Sequence, residues 1–191
     1  MNERKQAAST GGACELFLPS IIVHMLLPSQ PAPDFTLPDA SGVQHTLSHA
    51  LARGPALLVF YPADATPLCT KQNCLVRDRF GELTAAGITV FGLSPQRAEL
   101  KKDFSGSQRL PQVLLVDAGS KVAKLYGARG MFGLPLPFGT RRMTFFVERK
   151  ANLPVNMCGE VVLAAHEEFG LTVHEALMDR ALQLARASVA P

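Results

Sequence analysis

The stretch Ala56-Leu57-Leu58-Val59-Phe60-Tyr61-Pro62-Ala63-Asp64-Ala65-Thr66-Pro67-Leu68-Cys69-Thr70-Lys71-Gln72-Asn73-Cys74 decides how this chain is read. Its apolar opening, Ala56 to Phe60, has the length and bulk of a buried strand. The residues from Pro67 onward open a helix, because proline is tolerated in a first turn, where its missing N–H forfeits no hydrogen bond. That puts Cys69 just inside a helix start. Unpaired backbone N–H groups and the positive end of the helix dipole stabilise a thiolate there, and the thiolate is the nucleophilic form of cysteine. Cys74, five positions on, is placed to capture whatever Cys69 becomes.

On the N-terminal side, Leu26 to Asp34 carries three prolines and reads as an extended lead-in. Phe35-Thr36-Leu37 and Gln44-His45-Thr46-Leu47 flank the turn Asp39-Ala40-Ser41-Gly42 and predict a hairpin. Ser48 is expected to cap a short helix through Ala52. On the C-terminal side, Leu75, Val76, Phe80 and Leu83 lie among charged residues at helical spacing, so Thr70 to about Ala86 predicts an amphipathic helix closed by Gly87. Ile88 to Leu93 predicts a second buried strand. Ser94-Pro95 reads as the cap and first position of a helix to about Phe104. Gln112 to Asp117 is a third strand, 121–126 a short helix, and 128–139 a loop rich in glycine and proline. Arg142 to Val147 is a fourth strand, Val161 to Ala164 a fifth, and 171–187 a terminal helix with Val173, Leu177, Ala181 and Leu184 on one face. Strands alternating with helices predict an α/β protein, its central sheet covered on both faces.

With 191 residues, 47% of them hydrophobic, the chain can hold one core. Residues 26–191 are expected to form a single domain, and 1–25 an N-terminal extension of unclear status. The net charge of +3 comes from Lys and Arg scattered among acidic residues, so no nucleic-acid partner is expected. Four cysteines are too sparse for the disulfide framework of a small secreted domain, and Cys14 and Cys158 read as small buried hydrophobes. A structural zinc site needs four ligands, and the histidines show no paired spacing, so no metal is expected. No apolar run approaches the roughly 18 residues of a membrane span, and no membrane partner is expected. Leu16 to Leu27 has the length of a signal-peptide core, but Pro19 and His24 interrupt it and no small-residue cleavage site follows. A cytoplasmic protein is expected, and translation beginning at Met25 is one account of the preceding residues.

Pro62, Thr66 and Cys69 stand as Pro-x-x-x-Thr-x-x-Cys directly after the buried strand, and Arg142 opens a later one. Further matches are Ala32-Pro33-Asp34-Phe35-Thr36-Leu37, Phe60-Tyr61-Pro62, Gly92-Leu93-Ser94-Pro95, Tyr126-Gly127 and Arg142-Met143-Thr144-Phe145. In these residues the chain resembles the peroxiredoxins, of the alkyl hydroperoxide reductase and thiol-specific antioxidant family. Cys74 makes it similar to their bacterioferritin-comigratory, or Q-type, subgroup. The resemblance runs from about Leu26 to Val147. It implies a thioredoxin-like fold with a central mixed sheet flanked by helices and an N-terminal β-hairpin. It implies no metal, haem or flavin cofactor.

By that resemblance Cys69 attacks the terminal oxygen of a peroxide and becomes a sulfenic acid. Arg142 supplies a permanent cation able to donate to sulfur and peroxide together. Thr66 offers a hydroxyl to both, and Pro62 shields the thiolate from water. Taken singly, Thr66 and Pro62 are ordinary loop residues and Arg142 a solvated strand end, with Arg141 directed to the opposite face. Cys74 then condenses with the sulfenic acid, and thioredoxin or a similar dithiol reduces the disulfide. Helix positions five apart have α-carbons about 8–9 Å from each other on different faces. A disulfide tolerates about 7 Å, so that step implies unwinding of the helix start. The sequence departs from the subgroup at Leu68, where glycine is usual, at Gln96, where an acid is usual, and at Lys150-Ala151-Asn152, which replaces an Asp-Gly turn. Residues 151–170 match poorly and contain Cys158, an alternative resolving thiol. A thioredoxin-fold peroxide sensor or redox-dependent binding protein is the alternative function. Without a long edge strand or apolar stripe, a monomer is expected.

Overall fold

Every residue of Ala56–Phe60 is buried, which a strand achieves only inside a sheet covered on both faces. The computed structural model describes residues 25–130 and 139–189. Along them run β1 (Pro31–Pro33), β2 (Thr36–Pro38), β3 (Gln44–Thr46), α1 (Leu47–Leu51), β4 (Ala56–Phe60), α2 (Pro67–Ala85) and β5 (Thr89–Ser94). Then come α3 (Ala98–Gln108), β6 (Val113–Val116), α4 (Lys121–Leu125), β7 (Met143–Arg149), β8 (Met157–His166) and α5 (Thr172–Val189). Cys14, residues 16–24 of the signal-like run and most of the 128–139 loop lie outside the described residues.

Six strands form one mixed sheet in the order β1-β8-β7-β4-β5-β6, while β2 and β3 make the separate N-terminal hairpin. β4, β5 and β6 are parallel, and β7 runs antiparallel to both β4 and β8. Successive residues of β4 feed opposite cores. Leu58 and Phe60 pack with α1, α4, Phe145 and Tyr126, and Leu57 and Val59 pack with α2, α5 and Phe146. A third cluster joins Tyr61 and Cys69 to Phe104, Leu110 and Leu114, so α3 closes over the end of the sheet where β4 runs into α2.

Several elements differ from the sequence reading. The proline-rich lead-in contributes β1, at the sheet edge against β8, a position where a residue without an N–H is tolerated. Ser94-Pro95 does not start a helix: Ser94 is the last residue of β5, paired with Val116, and α3 begins at Ala98 with Arg97 at its N-cap. The Ser94 hydroxyl is committed instead to a buried polar cluster. Ser48 is no cap either. Thr46 holds that position, and the Ser48 N–H donates to Asp34 Oδ1 at 3.0 Å, from fourteen residues back in the chain. β8 is longer than the expected fifth strand, and in α5 the core face runs through Leu177, Met178, Ala181, Leu182 and Ala185, leaving Val173 42% exposed. Among the described residues no helix is long and apolar enough to cross a membrane.

Gly159 of β8 pairs with Arg149 of β7, where there is no room for a side chain. A Cβ there would lie 2.5 Å from the Glu148 carbonyl oxygen and 2.8 Å from Leu51 Cδ1. Backbone cannot yield as a side chain can. Gly159→Ala is expected to lose about 1–3 kcal/mol of stability, lowering the melting temperature by several degrees in a thermal scan.

Candidate active site

Cys69 reaches its position through local and tertiary constraints together. Thr66 is extended at the N-cap and Pro67 opens α2, which sets Cys69 in the first turn. The thiol is 1% exposed, packed against Tyr61, Phe104, Leu110 and Leu114. The Cys69 carbonyl accepts a side-chain hydrogen bond from Asn73 Nδ2 at 3.0 Å, and Asn73 is tied in turn to Gln112, just before β6.

Sheet register supplies the cation. Phe60 pairs with Met143, so the residue before Met143 lies beside the residue after Phe60, at the end of the sheet where α2 begins. Met143, Phe145 and Val147 face the core beneath α1 and α4; alternation sends Arg142, with Thr144 and Phe146, to the α2 side. There Arg142 Nη2 donates to Cys69 Sγ at 3.4 Å, Nη1 donates to Gln72 Oε1 at 2.5 Å, and Nε donates to the Glu168 carbonyl at 3.3 Å. Arg142 is 3% exposed. Its side-chain partners are neutral oxygens and the sulfur; of Arg142, the Glu168 carboxylate bonds only the backbone N–H, its other partners being His166 and Arg141. The guanidinium charge is therefore left facing Cys69, in a place where water screens it little. Arg141 goes elsewhere, to His166 and Glu168.

Behind this pair, Thr144 Oγ1 lies 2.9 Å from His174 Nδ1, and His174 Nε2 lies 3.2 Å from the Glu167 carbonyl. Burial holds the His174 imidazole below its ordinary pKa. The neutral ring then carries its proton on Nε2, which donates to the carbonyl, and Nδ1 accepts from Thr144. This fixes the turn between β8 and α5 from which Glu168 reaches Arg142.

The other residues singled out in the sequence are placed less uniformly. Pro62 is half-buried at the start of the loop after β4. Thr66 is exposed, and its hydroxyl donates to the Ala63 carbonyl at 3.3 Å. Cys74 lies five residues along the same unbroken helix, its thiol 3.8 Å from Gln108 Oε1 of α3. Cys69, Cys74 and Cys158 are free thiols. Cys158 belongs to β8 on the far side of β7, its thiol 3.8 Å from the Ala32 carbonyl; burial and then nearby Asp34 push its pKa up to about 12. Sequence reasoning missed Gln72 and Glu168. Gln72 was within reach, since a residue three positions after Cys69 shares its helix face. Glu168 lies in the poorly matched segment, and only the turn after β8 brings it here.

A buried thiol in the first turn of a helix, on a mixed sheet and against an arginine, is the arrangement of a cysteine-based redox enzyme. The AhpC/TSA family profile matches residues 28–155. A Mycobacterium tuberculosis protein named as a peroxiredoxin is 42% identical over 134 residues, 68% of this chain and 83% of that protein. The chloroplastic peroxiredoxin Q of Triticum aestivum is 38% identical over 148 residues, 77% of this chain and 62% of that protein. Among solved structures, peroxidoxin BcpB from Mycobacterium tuberculosis superposes with a TM-score of 0.70 at 31% identity, covering 88% of this chain and 100% of that one. Peroxiredoxin Q of Xanthomonas campestris shares the fold with a TM-score of 0.67 at 23% identity, over 84% of this chain and 96% of that one. The chain belongs to the AhpC/TSA family and is an enzyme of the peroxiredoxin class. Enzymes of that class reduce peroxides through a thiol and are recycled by thioredoxin-like reductants.

The environment of Cys158 gives a direct test. With a pKa of about 12, roughly one Cys158 thiol in ten thousand is ionised near pH 8, and only the thiolate alkylates. Brief iodoacetamide treatment of the native protein followed by peptide mass mapping should leave Cys158 unmodified, and denaturant should make it react.

Proposed function

We propose that Cys69 is the peroxidatic nucleophile and Cys74 the resolving thiol of a monomeric peroxidase acting on hydrogen peroxide and organic hydroperoxides. The observation that carries this reading is the Arg142 Nη2 to Cys69 Sγ contact of 3.4 Å, made by a guanidinium with no side-chain carboxylate on it among the described residues. Such a cation stabilises the thiolate and, with its remaining donor capacity, the negative charge that develops on the departing oxygen. The Cys69 sulfur attacks one peroxide oxygen, the O–O bond breaks, and the other oxygen leaves as water or alcohol after taking a proton. Pro62 and Thr66 flank the approach from the loop before α2. In this conformation the Thr66 hydroxyl is turned to the Ala63 carbonyl, and meeting a peroxide requires it to leave that bond by a change of χ1 rotamer.

Resolution requires the first turns of α2 to open. Cys69 and Cys74 share a continuous helix from Pro67 to Ala85, and at helical spacing their α-carbons are about 8–9 Å apart, beyond disulfide reach. Unwinding breaks the Asn73–Gln112 contacts and lifts Cys74 from Gln108. The Cys74 thiolate then attacks the Cys69 sulfenic sulfur, the S–S bond forms, and hydroxide leaves as water. Cys158 is a poor resolving thiol, because burial keeps it protonated. The disulfide exposed by unwinding suits a dithiol reductant such as thioredoxin.

One equivalent of hydrogen peroxide should consume two thiols, and the protein should support peroxide-dependent NADPH oxidation with thioredoxin and its reductase. Cys69→Ser should abolish turnover. Cys74→Ser should still lose the Cys69 thiol but stall after one event. Oxidation should lower helix content in circular dichroism and open a protease site near 69–79. Turnover surviving in Cys69→Ser would overturn the assignment, and identical proteolysis in both redox states would remove the unwinding step.

A further inference from the structure

Beneath the loop that leads into α2 lies a buried polar cluster with no part in the chemistry above. Lys101 of α3 is 0% exposed. Its Nζ donates to Ser94 Oγ at 2.5 Å and to the Tyr61 hydroxyl oxygen at 3.3 Å, and lies 3.6 Å from Asp64 Oδ1. It also stands 5.2 Å from the centroid of the Tyr61 ring. The Tyr61 hydroxyl donates to Asp64 Oδ1 at 2.7 Å, and the Asp64 backbone N–H donates to the side-chain oxygen of Gln96. Asp64 Oδ2 has no hydrogen-bond partner among the described residues. A carboxylate so enclosed depends on the lysine, since a buried charge deprived of its partner is among the most destabilising defects in a protein.

The cluster is joined to the site by its own members. Tyr61 and Asp64 belong to the loop that carries Pro62 and Thr66, and Tyr61 packs against Cys69. The same loop holds Ala65 at φ 59, a left-handed conformation that an alanine keeps only where surrounding contacts over-determine it. Asp64 is the neighbour whose side chain and N–H are both anchored.

We propose that Lys101 is a positioning residue for Cys69: by neutralising Asp64 and holding Tyr61, it fixes the loop at the mouth of the thiol, so that the rate of peroxide attack depends on the charge of a lysine that never touches substrate. The proposal rests on Cys69 being the peroxidatic residue. Displacing the loop moves Pro62 and Thr66 relative to the sulfur, and misplacement on the scale of an ångström is enough to slow an oriented displacement by orders of magnitude.

The charge can be titrated. Burial lowers the Lys101 pKa to about 8, against the raising effect of Asp64 and Asp117. Burial and Asp64 push the Tyr61 phenol well above its ordinary range, so it remains a neutral donor. The groups facing the amine are thus Asp64 and Tyr61 from the loop, Ser94 from β5 and Asp117 beyond β6, while Asp39 and Lys102 border the neighbouring cleft of about 500 Å³. As pH rises through about 8 the ammonium is lost, and with it the charge that faces Asp64. The positioning effect is present below that pH and disappears above it.

The test is the second-order rate of Cys69 oxidation by hydrogen peroxide, followed by quenched alkylation and corrected for the thiolate fraction from ultraviolet absorbance. In the wild type this corrected rate should fall about tenfold between about pH 7 and about pH 9.5. Lys101→Met should already be about tenfold slower at pH 7 and show no further fall. Lys101→Arg, which keeps the charge, should retain more of the rate than Lys101→Met and carry it to higher pH. Asp64→Asn should slow the reaction, and in combination with Lys101→Met should add less than its separate effect, as coupled residues do. A wild-type rate and pH profile in Lys101→Met overturns the proposal. If that variant melts below the assay temperature, the wild-type profile decides, and a corrected rate that stays level to pH 9.5 overturns it equally. Failure of peroxide to consume Cys69 in the wild type would instead overturn the parent reading.

Discussion

The arrangement depends on the antiparallel pairing of β7 with β4. Phe60 opposite Met143 brings two distant parts of the chain to one end of the sheet, the thiol through the loop after β4 and the guanidinium from the first step of β7. A shift of one residue would turn Arg142 to the face beneath α1 and α4 and set Met143 against Cys69, because side chains alternate along a strand. That slip would drive the Arg142 charge into the apolar core of Leu58, Phe60 and Tyr126 and exchange side chains that both cores are packed around, so it is strongly opposed. Packing of the core thus specifies the electrostatics of the site.

The helix carrying both thiols answers two opposed requirements. Its first turns are well anchored, Cys69 being buried and Asn73 bridged to Gln112, and farther along Arg77 Nη1 donates to the Gln108 carbonyl at 3.0 Å. Yet the helix start has no side-chain cap, and an uncapped end opens more readily than a capped one. Tertiary contacts rather than local ones hold this turn shut. A covalent change at Cys69 that expands or polarises the sulfur acts directly on those contacts.

Much of the fold was legible in the order and period of the apolar runs. Ala56–Phe60, Thr89–Ser94 and Val113–Val116 show it, being strands short, apolar and covered on both faces. The readings that failed did so where a local signal was overruled from a distance. Ser94-Pro95 has the chemistry of a helix start, but Ser94 is held in β5 by Val116 and its hydroxyl is taken by Lys101. Ser48 looks like a cap until Asp34, across the hairpin, takes its N–H. Val173 fits the helical period, but at this turn of α5 it is the neighbouring His174 that faces the sheet and bonds Thr144, leaving Val173 exposed.

The sequence by itself determined the thiols, the helix start that holds Cys69, and the family, because these reside in contiguous residues whose spacing survives any folding detail. It also supplied the arginine, though not which way it faces. The tertiary structure alone decided that Gln72 and Glu168 direct its guanidinium and that Lys101 lies buried on Asp64, and it set Arg142, the arginine singled out in the sequence, 3.4 Å from the Cys69 sulfur. Each of these contacts joins residues on different elements, two of them seventy or more positions apart. Contacts of that kind follow from strand register and layer packing, which no local pattern of residue types encodes.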